Sequence, residues 1–197
     1  LYLAGRLGED PVRDAPAIDL SQDELSPYAG LYLNEQTHLA RRIELEEGTL
    51  KADTGWGESE EMTPLGHDRF RAGMPPSAID FQRSGDAIVS LTEEAPGGFP
   101  RVYSRVEEAS PSAEQLASYA GAYFCPDLGV TYSIVVRDGK LIQRQRKLED
   151  NELKPAQADS FTRDGATIIF SRDGRGDVTS FELFNERNRY LRFERVV

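Results

Sequence analysis

The chain has 197 residues, 39% of them hydrophobic and 29% charged, with a net charge of −11 and one cysteine. A negative field of that size argues against nucleic acid and anionic membrane as partners; no apolar run approaches the roughly 20 residues of a membrane span, and a single cysteine excludes an intrachain disulfide or a cysteine-built metal site. The charge is unevenly shared: up to residue 110 there are 10 Lys+Arg against 21 Asp+Glu, and from 111 onward 13 against 13.

At the N-terminus, Leu1-Tyr2-Leu3-Ala4 reads as the end of an apolar helix, and Gly8 to Pro16 is rich in Gly, Pro and Asp, as a linker is. Residues 1–20 are therefore expected to be the tail and linker of something attached upstream. No signal-peptide pattern is visible, and the compartment is left open.

From residue 21 the chain repeats itself. LSPYAGLY at 25–32 returns as LASYAGAY at 116–123, and the match continues without a gap through Ile43 and Ile134, Gly48 and Gly139, Leu50 and Leu141, Pro64 and Pro155, Phe70 and Phe161. After a shift of one residue, Tyr103, Arg105 and Val106 meet Phe193, Arg195 and Val196. Two units are too few and too long for a solenoid, so the expectation is an internal duplication giving two small domains, 21–109 and 110–197.

Each unit begins with a short helical signal: Ser21 before Gln22-Asp23-Glu24-Leu25, and Ser112 before Ala113-Glu114-Gln115-Leu116, a serine N-cap with an acid in the first turn. Gly30 and Gly121 then permit a tight exit into the first strand. Beyond them the apolar spacing is that of strands. Ile43, Leu45, Leu50 and Ala52 alternate with Arg42, Glu44, Lys51 and Asp53 around Glu47-Gly48, and residues 132–142 turn at Asp138-Gly139. Strands are predicted near 30–35, 39–47, 50–54, 60–65, 68–72, 78–83, 87–93 and 101–106, and eight strands close a small barrel whose interior side chains can fill. The expected fold is all-β: two tandem antiparallel eight-stranded lipocalin-like barrels, each preceded by a short helix. Large inward residues such as Leu45, Leu50 and Phe70 predict solid cores.

The chain offers little chemistry. None of its serines has a lysine three residues on, as a penicillin-recognising nucleophile requires. Tyr32-Leu33-Asn34 spells Tyr-x-Asn, but in a predicted strand without a nucleophile. His38 and His67 lack metal-ligand spacing, Arg175-Gly176-Asp177 lies in a predicted hairpin loop that favours Gly and Asp, and Cys125 reads as a small residue near a turn. No catalytic residue, metal site or cofactor is predicted.

Two segments invite a partner. Trp56, the only tryptophan, sits between Gly55 and Gly57 in a predicted loop, where it could close the barrel end or contact a ligand. The inward face of the second barrel continues into Gln143 and Gln145, with Arg144 and Arg146 outward and Lys147 beyond, where the first barrel has Ala52 and Thr54. That pattern predicts either a polar barrel mouth, since buried glutamines need hydrogen bonds or water, or a ribbon projecting past the barrel. A solvated basic edge is the plainer reading.

Leu-x-x-Tyr-Ala-Gly-x-Tyr, followed by MTPLGHDRF in one unit and LKPAQADSF in the other, resembles the lipocalin-like barrels at the C-terminus of serine β-lactamase-related hydrolases, and the tandem arrangement resembles the D-aminopeptidase branch. The resemblance spans residues 21–197. It implies a non-catalytic accessory region that packs on an upstream serine hydrolase domain of the same polypeptide and shapes substrate access. A small-molecule or peptide substrate at the domain interface is a further implied partner, with Trp56 or the Gln143–Lys147 segment as the contact. The alternative is a free-standing small-molecule binder that uses the barrel cavities.

Overall fold

The computed structural model describes residues 12–53, 59–94, 98–146, 148–163, 165–185 and 190–196. Each sheet is introduced by a helix with a local cause. At α1 (Gln22–Leu25), Ser21 Oγ accepts from the Glu24 N–H, while the Glu24 carboxylate takes the Ser21 N–H at 2.8 Å. At α2 (Ala113–Tyr119), Ser112 and Gln115 form the same reciprocal pair, with the Ser112 N–H at 2.7 Å from Gln115 Oε1. Two otherwise unpaired N–H groups are thereby satisfied at each start. Pro27 has no N–H to continue α1, and the chain tightens there into a 3-10 turn, Ser26–Tyr28; α2 carries no proline and continues as α-helix through Tyr119.

The strands follow in chain order: β1 (Gly30–Leu33), β2 (Ala40–Glu46), β3 (Thr49–Ala52), β4 (Glu60–Glu61), β5 (Thr63–Gly66), β6 (Arg69–Ala72), β7 (Ser77–Ser84), β8 (Ala87–Glu94) and β9 (Arg101–Val106), then β10 (Gly121–Cys125), β11 (Val130–Arg137), β12 (Lys140–Arg144), β13 (Asn151–Pro155), β14 (Ser160–Arg163), β15 (Ala166–Arg172), β16 (Val178–Phe184) and β17 (Leu191–Val196). All pairings are antiparallel. The turns at Glu47-Gly48 and Asp138-Gly139 have positive φ at both central residues (49° and 82°, 52° and 74°), the geometry whose twist matches flanking antiparallel strands.

Strands β10 to β17 form a closed eight-stranded barrel, as expected. The first sheet departs from expectation: it has nine strands, in the order β4-β3-β2-β1-β9-β8-β7-β6-β5, and is a nearly closed barrel rather than a closed one. The predicted strand 60–65 breaks at Met62, which is buried and donates its N–H to Leu50 O at 2.8 Å. Before the break the chain pairs with β3, and after it with β6. Pro64, third from the break, lacks the N–H that a central strand would use, and the ladder shifts register between Pro64 and Gly66. In the second barrel Pro155 falls at the last position of β13, which stays whole and pairs on both sides.

Both interiors are filled with side chains. Tyr28, Tyr32, Leu50, Phe70, Leu91 and Tyr103 are fully buried in the first barrel, and Tyr123, Phe161, Phe181 and Phe193 in the second. Rings meet edge-on, as at Phe70–Phe81 (5.5 Å) and Phe161–Phe170 (5.8 Å), the arrangement their quadrupoles favour. The cores are solid, as the large inward residues predicted.

The barrels touch through the outer faces of β1–β2 and β13–β14. Leu31, Ala40 and Ala156 form a small buried apolar cluster. Arg42 Nη2 donates to Pro155 O at 2.8 Å and to Thr162 Oγ1 at 3.4 Å, while its Nη1 pairs with Glu108. Lys154 reaches Glu44 at 3.1 Å.

Candidate functional site

Each barrel has a helix end and an opposite end, here called the mouth. The helix ends account for the repeated Tyr-Ala-Gly. In the first barrel Tyr28 OH donates to Asp68 Oδ1 (2.9 Å), and Arg83 donates to the same oxygen through Nε (2.7 Å) and to the Tyr28 hydroxyl through Nη2 (3.1 Å). In the second, Tyr119 OH and Arg172 Nε both reach Asp159 Oδ1 at 2.8 Å. Asp68 and Asp159 sit at φ 66° and 57°, a left-handed conformation that aspartate tolerates better than most residues. The second tyrosine of each motif ties back to the first: Tyr32 OH donates to Tyr28 O and Tyr123 OH to Tyr119 O, at 2.8 and 2.7 Å.

The small residues have equally physical causes. Arg105 donates to the carbonyls of Pro27 and Ala29, and Arg195 to those of Ala120 and Val178. A Cβ on Gly30 would stand 3.2 Å from the Arg105 guanidinium, and one on Gly121 would stand 2.9 Å from Arg195 Nε. Tyr-Ala-Gly is thus a clamp that starts a barrel, with every polar atom engaged in structure.

The mouths differ between the barrels, and here chemistry-bearing groups sit inside. In the first, the period of two that points Ile43 inward also points Arg41 inward. Arg41 Nε and Nη2 hold Glu93 Oε2 at 3.0 and 2.9 Å, with side chains only 4% and 13% exposed. The guanidinium lies 5.1 Å over the Tyr103 ring. Burial pushes the Tyr103 hydroxyl up to about 12, so at neutral pH it is a proton donor and no base. Pairing registers locate the counterparts in the second barrel: Arg41 faces Tyr32 as Tyr132 faces Tyr123, and Glu93 faces Arg101 as Leu183 faces Leu191. There the mouth is aromatic, with Tyr132 stacked on Phe193 and Phe193 on Phe181, both at 4.6 Å.

Gln143 is the polar group of the second mouth. It stands in β12 between Ile134 and Asn151, is 1% exposed, and its Oε1 is buried without a hydrogen-bond partner among the described residues. A polar mouth was one of the two sequence expectations; Gln143 is buried, in the inward phase read for it, among rings that make the rest of this mouth aromatic. Among the described residues β12 ends at Arg144, and the Leu148 N–H donates to Gln145 O at 3.1 Å. Gln145 is half-buried and Arg146 exposed. Arg144, also exposed, is tied to Asp150 at 3.2 Å, and Arg137 and Arg144 hold that carboxyl below its usual range. Trp56 and Lys147 lie outside the described residues. His38 and His67 are exposed, with His38 lying 4.7 Å from the Phe184 ring across the barrel interface; Cys125 is buried.

The two mouths adjoin each other. Besides the His38–Phe184 contact, the Gly165 N–H reaches Asp53 Oδ2 at 3.4 Å. Among the described residues no three His, Cys, Asp or Glu converge on a metal position, and no helix is long and apolar enough to cross a membrane.

Residues 105–195 match the family model described as Domain of unknown function (DUF3471). That match runs from the end of β9 through α2 and almost the whole second barrel. Comparison with curated proteins found no match. The Arg41–Glu93 pair was missed in sequence reading, although an arginine in phase with Ile43 and Leu45 is a visible signal. Asp68 and Asp159 stood in the quoted motif without a role, because only the fold brings Tyr28 and Tyr119 onto them.

Proposed function

We propose that this chain is the non-catalytic accessory region of a serine hydrolase of the β-lactamase-related, D-aminopeptidase-like type, packing on the catalytic domain and shaping access to it. The observation that carries the reading is the Tyr-Ala-Gly clamp. The residues that make the chain resemble those C-terminal barrels are spent on building the barrel. We also infer that the two barrels arose by duplication into domains 21–109 and 110–197, both lipocalin-like. The family match covers the second barrel, and the first repeats its tyrosine-to-aspartate and arginine-to-aspartate bonds.

The test is to determine the polypeptide that precedes Leu1 in the native protein and to assay it with and without residues 21–197. A Ser-x-x-Lys pair followed by Tyr-x-Asn upstream, and a substrate range that widens when the barrels are removed, is the expected result. An upstream polypeptide lacking that pair, or hydrolysis of an activated ester by residues 1–197 alone, would overturn it.

One observation favours a second reading, a small-molecule binder: the unpartnered amide oxygen of Gln143 in the second mouth. A ligand offering an N–H or O–H there would satisfy it. Chemical shifts of the Gln143 side-chain amide should then move on titration with a panel of small amides and alcohols, and an unmoved spectrum removes this reading.

A further inference from the structure

We propose that the β5–β6 face of the first barrel is a docking face for the polypeptide preceding it, held through backbone carbonyls, as the β13–β14 face is in the second barrel. Residues 12–18 occupy it in this chain. Arg71, on β6, donates through Nη1 to the carbonyls of Val12 (3.3 Å), Arg13 (2.6 Å) and Ala15 (3.2 Å), so that a turn wraps around one guanidinium. Three residues on, the Ile18 N–H reaches Pro64 O at 3.0 Å, on the edge strand β5 where the sheet fails to close.

The second barrel receives its preceding chain on the matching strands. The Ala109 N–H donates to Ala156 O at 2.9 Å, just past β13, and an arginine again supplies a fork of donors, Arg42 reaching Pro155 O and Thr162. Pro64 and Pro155, like Ile18 and Ala109, stand at the shift of 91 that relates the two Tyr-Ala-Gly motifs. In one case the arginine is on the barrel that receives the chain and in the other on β2 of the preceding barrel, and each donates to main-chain oxygen, Arg42 to a side-chain hydroxyl as well. Guanidinium offers five donors in a fixed fork and no acceptor, so it selects carbonyls irrespective of side chain. What fits this face is therefore a turned segment that presents main-chain carbonyls to the guanidinium, and Pro16, lacking an N–H, interrupts local pairing within it. A cleft of about 750 Å³, lined by Arg13, Glu61, Thr63, Arg71 and Met74 among others, lies alongside, and Met74 at its rim is 95% exposed. The inference does not rest on the hydrolase reading.

The experiment is limited trypsin digestion of the full chain, with cleavage after Arg13 read by mass spectrometry, together with hydrogen exchange at the Ile18 amide. Arg13 is exposed, and the Arg71 bond to its carbonyl helps hold the scissile peptide in place. Arg71→Gln should speed cleavage at Arg13 by about tenfold or more, because cutting follows the open population of the segment, and should also speed exchange at Ile18. Ile18→Pro, at an exposed site, keeps Arg71 but removes the Pro64 bond, and should raise cleavage at Arg13 as well if the segment docks as one unit. Equal cleavage in wild type and both variants would overturn the proposal, and so would an Ile18 amide that exchanges at the unprotected rate in the wild type.

Discussion

Tyr28, Asp68 and Arg83 at the helix end of the first barrel, and Tyr119, Asp159 and Arg172 at that of the second, make the same tyrosine–aspartate–arginine bonds; at the mouths the barrels share almost nothing. Where the first places Arg41, Glu93 and Tyr103, the second stacks Tyr132, Phe193 and Phe181. The difference teaches which end is bound to the fold. At the helix end a Cβ on Gly30 or Gly121 would press on the arginine that ties down the helix, so that end is closely constrained. The mouth needs only to be filled, and can be filled by a satisfied ion pair or by stacked rings.

The largest effect should come from breaking the mouth of the first barrel. Glu93→Ala leaves the Arg41 charge buried without its partner and should cost about 3–5 kcal/mol in denaturant unfolding. Arg41→Tyr combined with Glu93→Leu gives this mouth the second barrel's residues, and should fall between neutral and about 4 kcal/mol more stable. If the double variant is as damaged as the single, the ion pair is not interchangeable with an apolar filling, and the comparison of the mouths is wrong.

At the helix ends the comparison sharpens to two ranked pairs. Gly30→Ala meets both the Arg105 guanidinium and a backbone at φ 152°, and should lose about 2–3 kcal/mol, whereas Gly121→Ala meets only the Arg195 side chain and should lose about 1 kcal/mol. Tyr28→Phe should come next. The Tyr28 hydroxyl also accepts the Asp68 backbone N–H at 3.1 Å, a part-buried donor that phenylalanine would strand, so about 1–2 kcal/mol is expected. Tyr119→Phe loses the Asp159 bond and should cost about 1 kcal/mol or less. Equal losses within either pair would mean that the extra contact in the first barrel carries no weight.

Much of the fold could be read from the sequence, because alternation and turn residues are local. Glu47-Gly48 and Asp138-Gly139 name their hairpins, and the serines name their helices. The break at Met62 could not be read, since it depends on a Leu50 carbonyl across the sheet. For the site the position is reversed. Gln143 showed as a polar residue in an apolar phase, and the structure buries it. Arg41 was hidden by its neighbour: Arg42 faces the second barrel, and an Arg-Arg pair reads as solvated surface until both faces of the strand are known to be covered.

The smallest effect at neutral pH is nil, and it grows only in alkali. Burial pushes Tyr32, Tyr103 and Tyr123 each up to about 12, above the ordinary tyrosine value of about 10. A phenol that holds its proton more tightly when folded contributes stability that is fully present below pH about 10 and is lost as pH rises toward about 12. Tyr32 and Tyr103 lie in the first barrel and Tyr123 in the second, where burial also raises Tyr119, so both barrels should weaken in alkali, and Tyr103→Phe should reduce the sensitivity of the first while leaving that of the second unchanged. Absorbance titration should show Tyr32, Tyr103 and Tyr123 ionising only as the fold opens, above the ordinary tyrosine value. If these three ionise near pH about 10 with the chain still folded, the interiors are wetter than their packing implies, and solvent reaches the Tyr103 mouth as readily as the surface.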